Sequence, residues 1–599
     1  IWDIPGTYEV QFRVTDDEGG TGELDEPMII EIQNGLPIAD ASVDHSPPGS
    51  PVTIVTVLSF DGSGSVDGDC MGVNIANWEW DWENDGIFDA EGETQEHSYD
   101  TIGHYEVQLR VTDDEGATDL LDSPLEIDVV DFGWAITFGT VNGYTRGYDV
   151  ASDSAGNVYT TGSCWYSVDF DPGPDESEPS KKGPFIASYD SAGRYRWSHS
   201  WNQTGSPTAG NGIVIDNDEY VYFTGNFAGT IDFDPGPDVD NHTADGAWDV
   251  LLMKFDTSGN YIWGKHWGHT YTEYGRAVAV GEGGKVFVAG TFEGAVDFDP
   301  SVSATHWHTA LGKQDSFLSA FDSNGKFLWA NAWGGNDPDP LYDYPWGVAG
   351  DQLGNVYVAG QFYGTADFDP GSGVSNLISD GDIDGYLVSY NAADGALIWA
   401  YAISSSGNYD AGKGVAVDDY GYVYLSGVID DTCDLNFGPG VNNFSTVGWN
   451  DAFLAKYDWN GAYQWAYSWG CASTYTRAFG ICLTSDGHVA LGGTYAGSVD
   501  FDPGPGHSDW TSNGETDIFI CYFSLGGTFG WAKAWGGSEA ECSYNLGPGM
   551  ASDTSGNIFT TGYFLGSVDF DPSGNTDLHE PPGDDHAAFI SKFLPDGSW

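Results

Sequence analysis

Positive charge is what this chain lacks most. Its 599 residues include 18 Lys and Arg against 91 Asp and Glu, a formal net charge of -73. Nucleic-acid grooves need clustered cations to displace counterions, so nucleic acid is excluded as a partner. Docking on an anionic membrane face is disfavoured for the same reason. No run of 18 apolar residues occurs, so no direct membrane insertion is expected. No signal peptide opens the chain, and an exported protein would carry its leader outside this segment. The seven cysteines, Cys70, Cys164, Cys433, Cys471, Cys482, Cys521 and Cys542, form no CxxC pair, which argues against a zinc site. Four of them fall between 471 and 542 and permit a late disulfide. GxSxG elbows and P-loops are also missing, so that hydrolase chemistry and NTP chemistry have no warrant.

What is present is glycine (84 residues) and aromatics (15%), a composition of folded β-structure rather than of an acidic disordered tail. Most of the acid is Asp, which favours turns and chelation over helix interiors. So charged a chain repels itself. Salt screening or bound divalent cations would relieve that, and both point to an extracellular or cell-surface location.

"DIPGTYEVQFRVTDDEGG" from Asp3 recurs as "DTIGHYEVQLRVTDDEGA" from Asp100. Alternation through Tyr105, Val107, Leu109 and Val111 reads as a strand with one buried face, and the 97-residue period suits a small β-sandwich. Residues 35–130 are expected to be one complete sandwich and 1–34 the C-terminal part of another. The pieces "SFDGSGSVDGD" (59–69), "NWEWDWENDGIFD" (77–89) and "HSYDTIGHYEVQLRVTDDEG" (97–116) resemble the PKD family of immunoglobulin-like extracellular sandwiches. That resemblance implies a spacer or weak contact module rather than a catalyst. Asp81, Glu83, Asp85 and Asp89 surround Gly86 at alternate positions, a spacing that can converge on one hard cation such as Ca²⁺. The alternative is a hairpin whose Asp side chains cap backbone N–H groups.

From 131 to 599 a unit of 63 to 70 residues repeats seven times, marked by "DFDP" at Asp169, Asp232, Asp297, Asp367, Asp500 and Asp569 and by "DLNFGPG" at Asp434. Each unit carries four candidate strands, the pattern of a seven-bladed β-propeller with four-stranded blades. The chain ends complement each other: "FGWAITFG" (132–139) matches the outer strand "FGWAKAWG" (529–536), while the last unit stops after its third strand. Pairing of N- and C-terminal strands is therefore expected to close the propeller and seal its edge. The fold class is all-β, PKD-type sandwiches followed by this propeller. "DAFLAKYD" (451–458), "WAKAWGG" (531–537) and "DQLGNVYVAG" (351–360) resemble the SBBP family of bacterial propeller repeats, which implies an exported surface protein and leaves activity open.

The pairs Asp169/Asp171, Asp232/Asp234, Asp297/Asp299, Asp367/Asp369, Asp434/Asn436, Asp500/Asp502 and Asp569/Asp571 are candidate structural Ca²⁺ ligands, with Asx-turn capping as the competing reading. A second recurring acid, Asp249, Asp315, Asp384, Asp451 and Asp517, precedes the third strand and is expected to cap backbone. Arg146, Arg194, Arg196, Arg276 and Arg477 show no repeat logic suggesting convergence. Sevenfold repetition argues against an active site, which needs one asymmetric constellation. The expected function is a non-enzymatic extracellular structural or adhesion protein, self-assembling or bound to a surface glycan or protein. A lectin-like module is the alternative, and a secreted glycan hydrolase is less favoured.

Overall fold

The computed structural model describes residues 36–44, 57–67, 75–99, 103–141, 143–171, 182–201, 208–301, 303–335, 343–380, 382–472, 474–542, 547–583 and 585–599, with the strands Gly6–Val10, Arg13–Thr15, Thr21–Glu23, Met28–Ile32 and Val52–Thr53. Cys70 lies outside them. The chain divides into two units, Ile1–Phe132 and Gly133–Trp599. Both are all-β, and the described residues contain no α-helix.

In the first unit, Gly6–Val10 pairs with Met28–Ile32 and Arg13–Thr15 with Thr21–Glu23. Residues 36–130 form two further sheets. One orders Thr94–His97, Leu58–Asp61 and Ser42–Asp44, and the other centres on Gly103–Asp113 between Leu125–Val130 and Ile75–Asp81. Val107, Leu109 and Val111 put the alternating face into a core with Phe60, Trp80 and Trp82, the burial that fixes strand register.

The second unit contains seven four-stranded sheets, six of them with a small two-stranded ribbon between two of their strands, a propeller-like arrangement. Six sheets are built in chain order, as in Tyr344–Gly350, Asn355–Phe362, Asp384–Asn391 and Leu397–Ile403. The remaining sheet orders Trp134–Phe138, Ala587–Phe593, Ile558–Phe564 and Gly549–Ser552. Its outer strand comes from the start of the unit, with Ile136 opposite Ile590.

Local chemistry explains the turns. Asp351 Oδ1 accepts from the N–H groups of Leu353 (2.9 Å) and Asn355 (2.7 Å), while Gly354 takes the left-handed φ of +93° that closes the turn. Asp153, Asp216, Asp418 and Asp553 make the same cap between first and second strands. Asp190, Asp256, Asp322 and Asp458 repeat it between third and fourth strands. Much of the acid excess is therefore turn chemistry.

Packing supplies the rest. The second and third strands are buried on both faces, as along Val423–Ile429, because each sheet is covered by its neighbours. Fourth-strand tryptophans clasp the next sheet by donating Nε1–H to a carbonyl in its last turn. These bonds are Trp197 to Thr257 O (3.0 Å), Trp329 to Ala392 O (3.3 Å), Trp399 to Trp459 O (3.0 Å) and Trp531 to Pro595 O (3.0 Å). Trp134, on the strand from the start of the unit, donates to Ser191 O at 3.1 Å in the same way. The first strands Thr145–Ser152, Gly210–Ile215, Tyr274–Gly281, Tyr344–Gly350, Ala411–Val417, Thr476–Thr484 and Gly549–Ser552 touch in succession, and the last touches the first.

Candidate functional site

Six of those first strands carry a register irregularity near their start. It falls between Gly147 and Asp149, Gly210 and Gly212, Gly275 and Ala277, Pro345 and Gly347, Gly412 and Gly414, and Ala478 and Ile481. An inserted residue bends a strand and re-aims a side chain. The residues inserted are Tyr148, Asn211, Arg276, Trp346, Lys413 and Phe479 (with Gly480), and all of them line one pocket of about 210 Å³. Small neighbours are required because the first strands approach closely: a Cβ on Gly347 would lie 3.1 Å from Val415 N, and one on Gly212 would lie 3.1 Å from Ala277 Cα. Gly547, Pro548 and Met550 complete the wall from the seventh sheet.

Cations and aromatic rings meet there. Lys413, 5% exposed, holds Nζ 3.5 Å from the centre of the Trp346 ring. The Arg276 guanidinium lies 4.2 Å from the Tyr344 ring centre and 5.2 Å from that of Trp346. Arg477 stands 5.8 Å from the Tyr409 ring and donates to Asn450 Oδ1 at 2.9 Å. Gln361 Oε1 anchors the wall by accepting from Trp346 Nε1 (2.9 Å) and Tyr409 OH (3.0 Å). Burial first, then the Arg477 and Arg276 charges, hold the Lys413 ammonium well below its usual value. Asp149 is the pocket's carboxylate. Burial pushes it up to about 7, although it accepts from the N–H groups of Val150 (2.9 Å) and Ile213 (3.0 Å). Arg276 and Arg477 both act on Lys413, a gathering that no repeat logic in the sequence suggested.

Between second and third strands, six of the marker acids, Asp232, Asp297, Asp367, Asp434, Asp500 and Asp569, end the first strand of a two-stranded ribbon. Phe170, Phe233, Phe298, Phe368, Leu435, Phe501 and Phe570 within the seven markers are buried. In each ribbon the first acid caps across the turn. Asp232 Oδ1 accepts from Asp234 N (3.3 Å) and Asp240 N (2.7 Å), and Asp367 from Asp369 N (3.0 Å) and Ser375 N (2.7 Å). Asp297, Asp434, Asp500 and Asp569 repeat this, and Asp169 accepts from Asp171 N. Asp234, Asp299, Asp369, Asn436, Asp502 and Asp571 cap the N–H two residues on. Among the described residues, no pair gathers a third ligand within 4.8 Å except at Asp500, whose companions are His507 and Asp509 rather than Asp502. Asp81, Glu83 and Asp89 do gather within 4.8 Å. Yet Asp81 also caps Asp85 N (3.2 Å) and Gly86 N (2.7 Å), Asp89 caps Trp82 N (3.2 Å), and Asp85, outside the group, caps Ile87 N (2.8 Å). Burial and the surrounding Asp89, Asp85 and Asp81 charges raise the Glu83 carboxyl. Asp67, Asp114 and Glu115 form a further group that the sequence reading missed.

The second recurring acid caps as expected. Asp249, Asp315, Asp384, Asp451 and Asp517 accept from the N–H four residues back at 2.8–3.2 Å. Unforeseen are the buried acids facing four of them, Glu273, Asp343, Asp410 and Glu541, pushed up to about 8, 7, 7 and 9 chiefly by burial. Among the described residues, Cys471, Cys482, Cys521 and Cys542 are free, so the late bridge that the spacing left open is not formed among them.

Residues 36–129 match the family model described as PKD domain. No curated protein matches the chain. Solved structures similar to it include the quinohemoprotein alcohol dehydrogenase of Comamonas testosteroni, at 12% identity and TM-score 0.35, over 78% of this chain and 77% of that one. A quinoprotein alcohol dehydrogenase-like protein of Bacteroides thetaiotaomicron gives 10% and 0.23 over 70% and 94%. The V. cholerae biofilm matrix protein Bap1 gives 10% and 0.23 over 77% and 89%. Among the described residues, no helix is long and apolar enough to cross a membrane.

Proposed function

We propose that residues 133–599 are a seven-bladed propeller that follows a PKD domain in the chain, and that the protein is a non-enzymatic extracellular recognition module for surface adhesion. Seven four-stranded sheets, the strand shared between the ends of the unit, and the tryptophan clasps support the ring. One observation carries the function. Six equivalent bulges deliver six different side chains, Tyr148, Asn211, Arg276, Trp346, Lys413 and Phe479, into one pocket. A repetitive scaffold has thus become asymmetric at its centre, where pockets of propeller-like folds can hold ligands. The carboxylates repeated around the ring are engaged in caps, which favours recognition over turnover.

The test is a glycan and protein-ligand array probed with the full chain and with Trp346→Ala. Selective retention lost in the variant supports the reading. Retention unchanged by Trp346→Ala, or release of product from any bound glycan, overturns it.

A second reading concerns the PKD domain. Asp81, Glu83 and Asp89 fit one Ca²⁺ through carboxylate oxygens, and Glu83, raised by burial first and by the neighbouring carboxylates second, would be relieved of the second cause by a bound cation.

A further inference from the structure

In a chain with 18 basic residues and a net charge of -73, two unpaired cations share the central pocket and a third stands beside it. Among the described residues, Lys413 Nζ is buried and meets no hydrogen-bond acceptor, and Arg276 Nε is equally without a partner. No carboxylate is among the groups acting on either cation. Asp149, the acid that lines the pocket, spends both oxygens on backbone N–H groups. Burying a lysine against two guanidinium groups costs stability. Cation–π contact with Trp346 and Tyr344 offsets part of that cost, and a ligand that brings its own negative charge would offset more.

The walls narrow the ligand further. Trp346 and Phe479 are aromatic lining residues, and Asn211 and Tyr148 add polar ones, each already tied to the fold through Asn211 Nδ2 to Gly275 O (2.7 Å) and Tyr148 OH to Ser163 Oγ (3.1 Å). Aromatic faces with a few placed polar groups suit a flat ring bearing hydroxyls, whereas a bare inorganic anion would leave them without use. A volume of about 210 Å³ is below that of a drug-sized pocket and has room for one small ring rather than a chain. Guanidinium forks pair bidentately with planar or tetrahedral oxyanions.

We infer that the central pocket binds one acidic sugar residue, a pyranose carrying a carboxylate or a sulfate ester, with Lys413 and Arg276 on the anionic group and Trp346 against the ring. This rests on the reading of the pocket as the ligand site. Arg477 contributes its charge from beside the pocket while held by Asn450. Gln361, which touches no ligand in this arrangement, is a positioning residue for Trp346 and Tyr409.

Titration calorimetry and thermal shift on the full chain separate the outcomes, with galacturonate, galactose 6-sulfate, galactose, sodium sulfate and an oligoglutamate peptide as probes. Binding of one or both acidic sugars, no measurable galactose binding, and at least tenfold weaker sodium sulfate are expected. Lys413→Met, which keeps the stem and removes the charge, should lose at least tenfold in affinity for the acidic sugars. It should unfold no earlier than the parent, since it also removes a repelled charge. Equal binding of galactose and galacturonate, both lost in Trp346→Ala, overturns the anionic inference and leaves the pocket as the ligand site. Sodium sulfate binding as tightly as the sugars, or the peptide binding in their place, overturns the sugar assignment. Acidic-sugar binding that survives both Lys413→Met and Trp346→Ala overturns the site itself.

Discussion

Asp517 and Glu541 crowd a single point: a Cβ on Gly536 would lie 2.7 Å from Oδ1 of the first and 2.7 Å from Oε2 of the second. Among the described residues neither oxygen has a hydrogen-bond partner, and both side chains are buried. Asp249 and Glu273 repeat the arrangement at Gly268, at 2.5 and 2.7 Å. Two buried carboxylates this close cannot both ionise cheaply.

Burial, with the Asp517 charge adding to it, lifts Glu541 to about 9, and burial lifts Asp517 to about 6. An acid whose folded value exceeds its unfolded value of 4.5 is protonated preferentially in the folded state. Its contribution to stability is therefore present at low pH and is lost as pH climbs from there through the folded value. The melting temperature should fall by roughly 5 °C between about pH 6 and about pH 9. Glu541→Gln should flatten that slope; a melting curve as steep as the parent's would mean that the pair is not protonated.

Gly536→Ala should destabilise the propeller-like unit through the same crowding, because the methyl group has nowhere to go. A loss of about 1–3 kcal/mol by urea denaturation is expected. The double variant with Glu541→Ala should recover part of it.

Capping and chelation by the ribbon acids predict different responses. Asp367→Ala strips an acceptor from the N–H groups of Asp369 and Ser375 and should cost about 1–3 kcal/mol. Asp367→Asn keeps the carbonyl acceptor and should cost less. Excess EDTA should leave the larger unfolding transition unmoved, while the PKD transition should drop, and drop no further in Asp81→Asn. A fall of the larger transition in EDTA would make the ribbon acids ligands after all.

Strand sharing is tested by Ile136→Pro. Proline cannot donate in a ladder, and Ile136 lies opposite Ile590. A loss on the order of 3 kcal/mol or more is expected. Unfolding indistinguishable from the parent would show that Trp134–Phe138 does not hold the last sheet.

The repeat was legible because its chemistry is local. Asp351, Gly354 and Asn355 spell a capped turn within five residues, and the glycine after Trp535 marks where Asp517 crosses over. The pocket was not legible, because its residues have no repeated identity and come from different sheets. A faint signal existed: Gly210-Asn211-Gly212, Gly275-Arg276-Ala277 and Gly412-Lys413-Gly414 all set a polar residue between small ones at the same place in the unit. Composition concealed it, since so few basic residues gave no reason to expect three of them together. The DFDP pairs misled in the opposite direction, because a carboxylate that caps an N–H and one that binds Ca²⁺ look identical in sequence.

Trp134 reaches Ser191 within its own half of the unit, yet its strand partner is Ala587–Phe593. Synthesis from the amino end leaves the strand Trp134–Phe138 waiting until more than four hundred further residues have left the ribosome. Pairings this distant in sequence form slowly and leave unfinished edges exposed while they wait. Secretion of the chain before folding, rather than after, would spare the cell that long-lived intermediate.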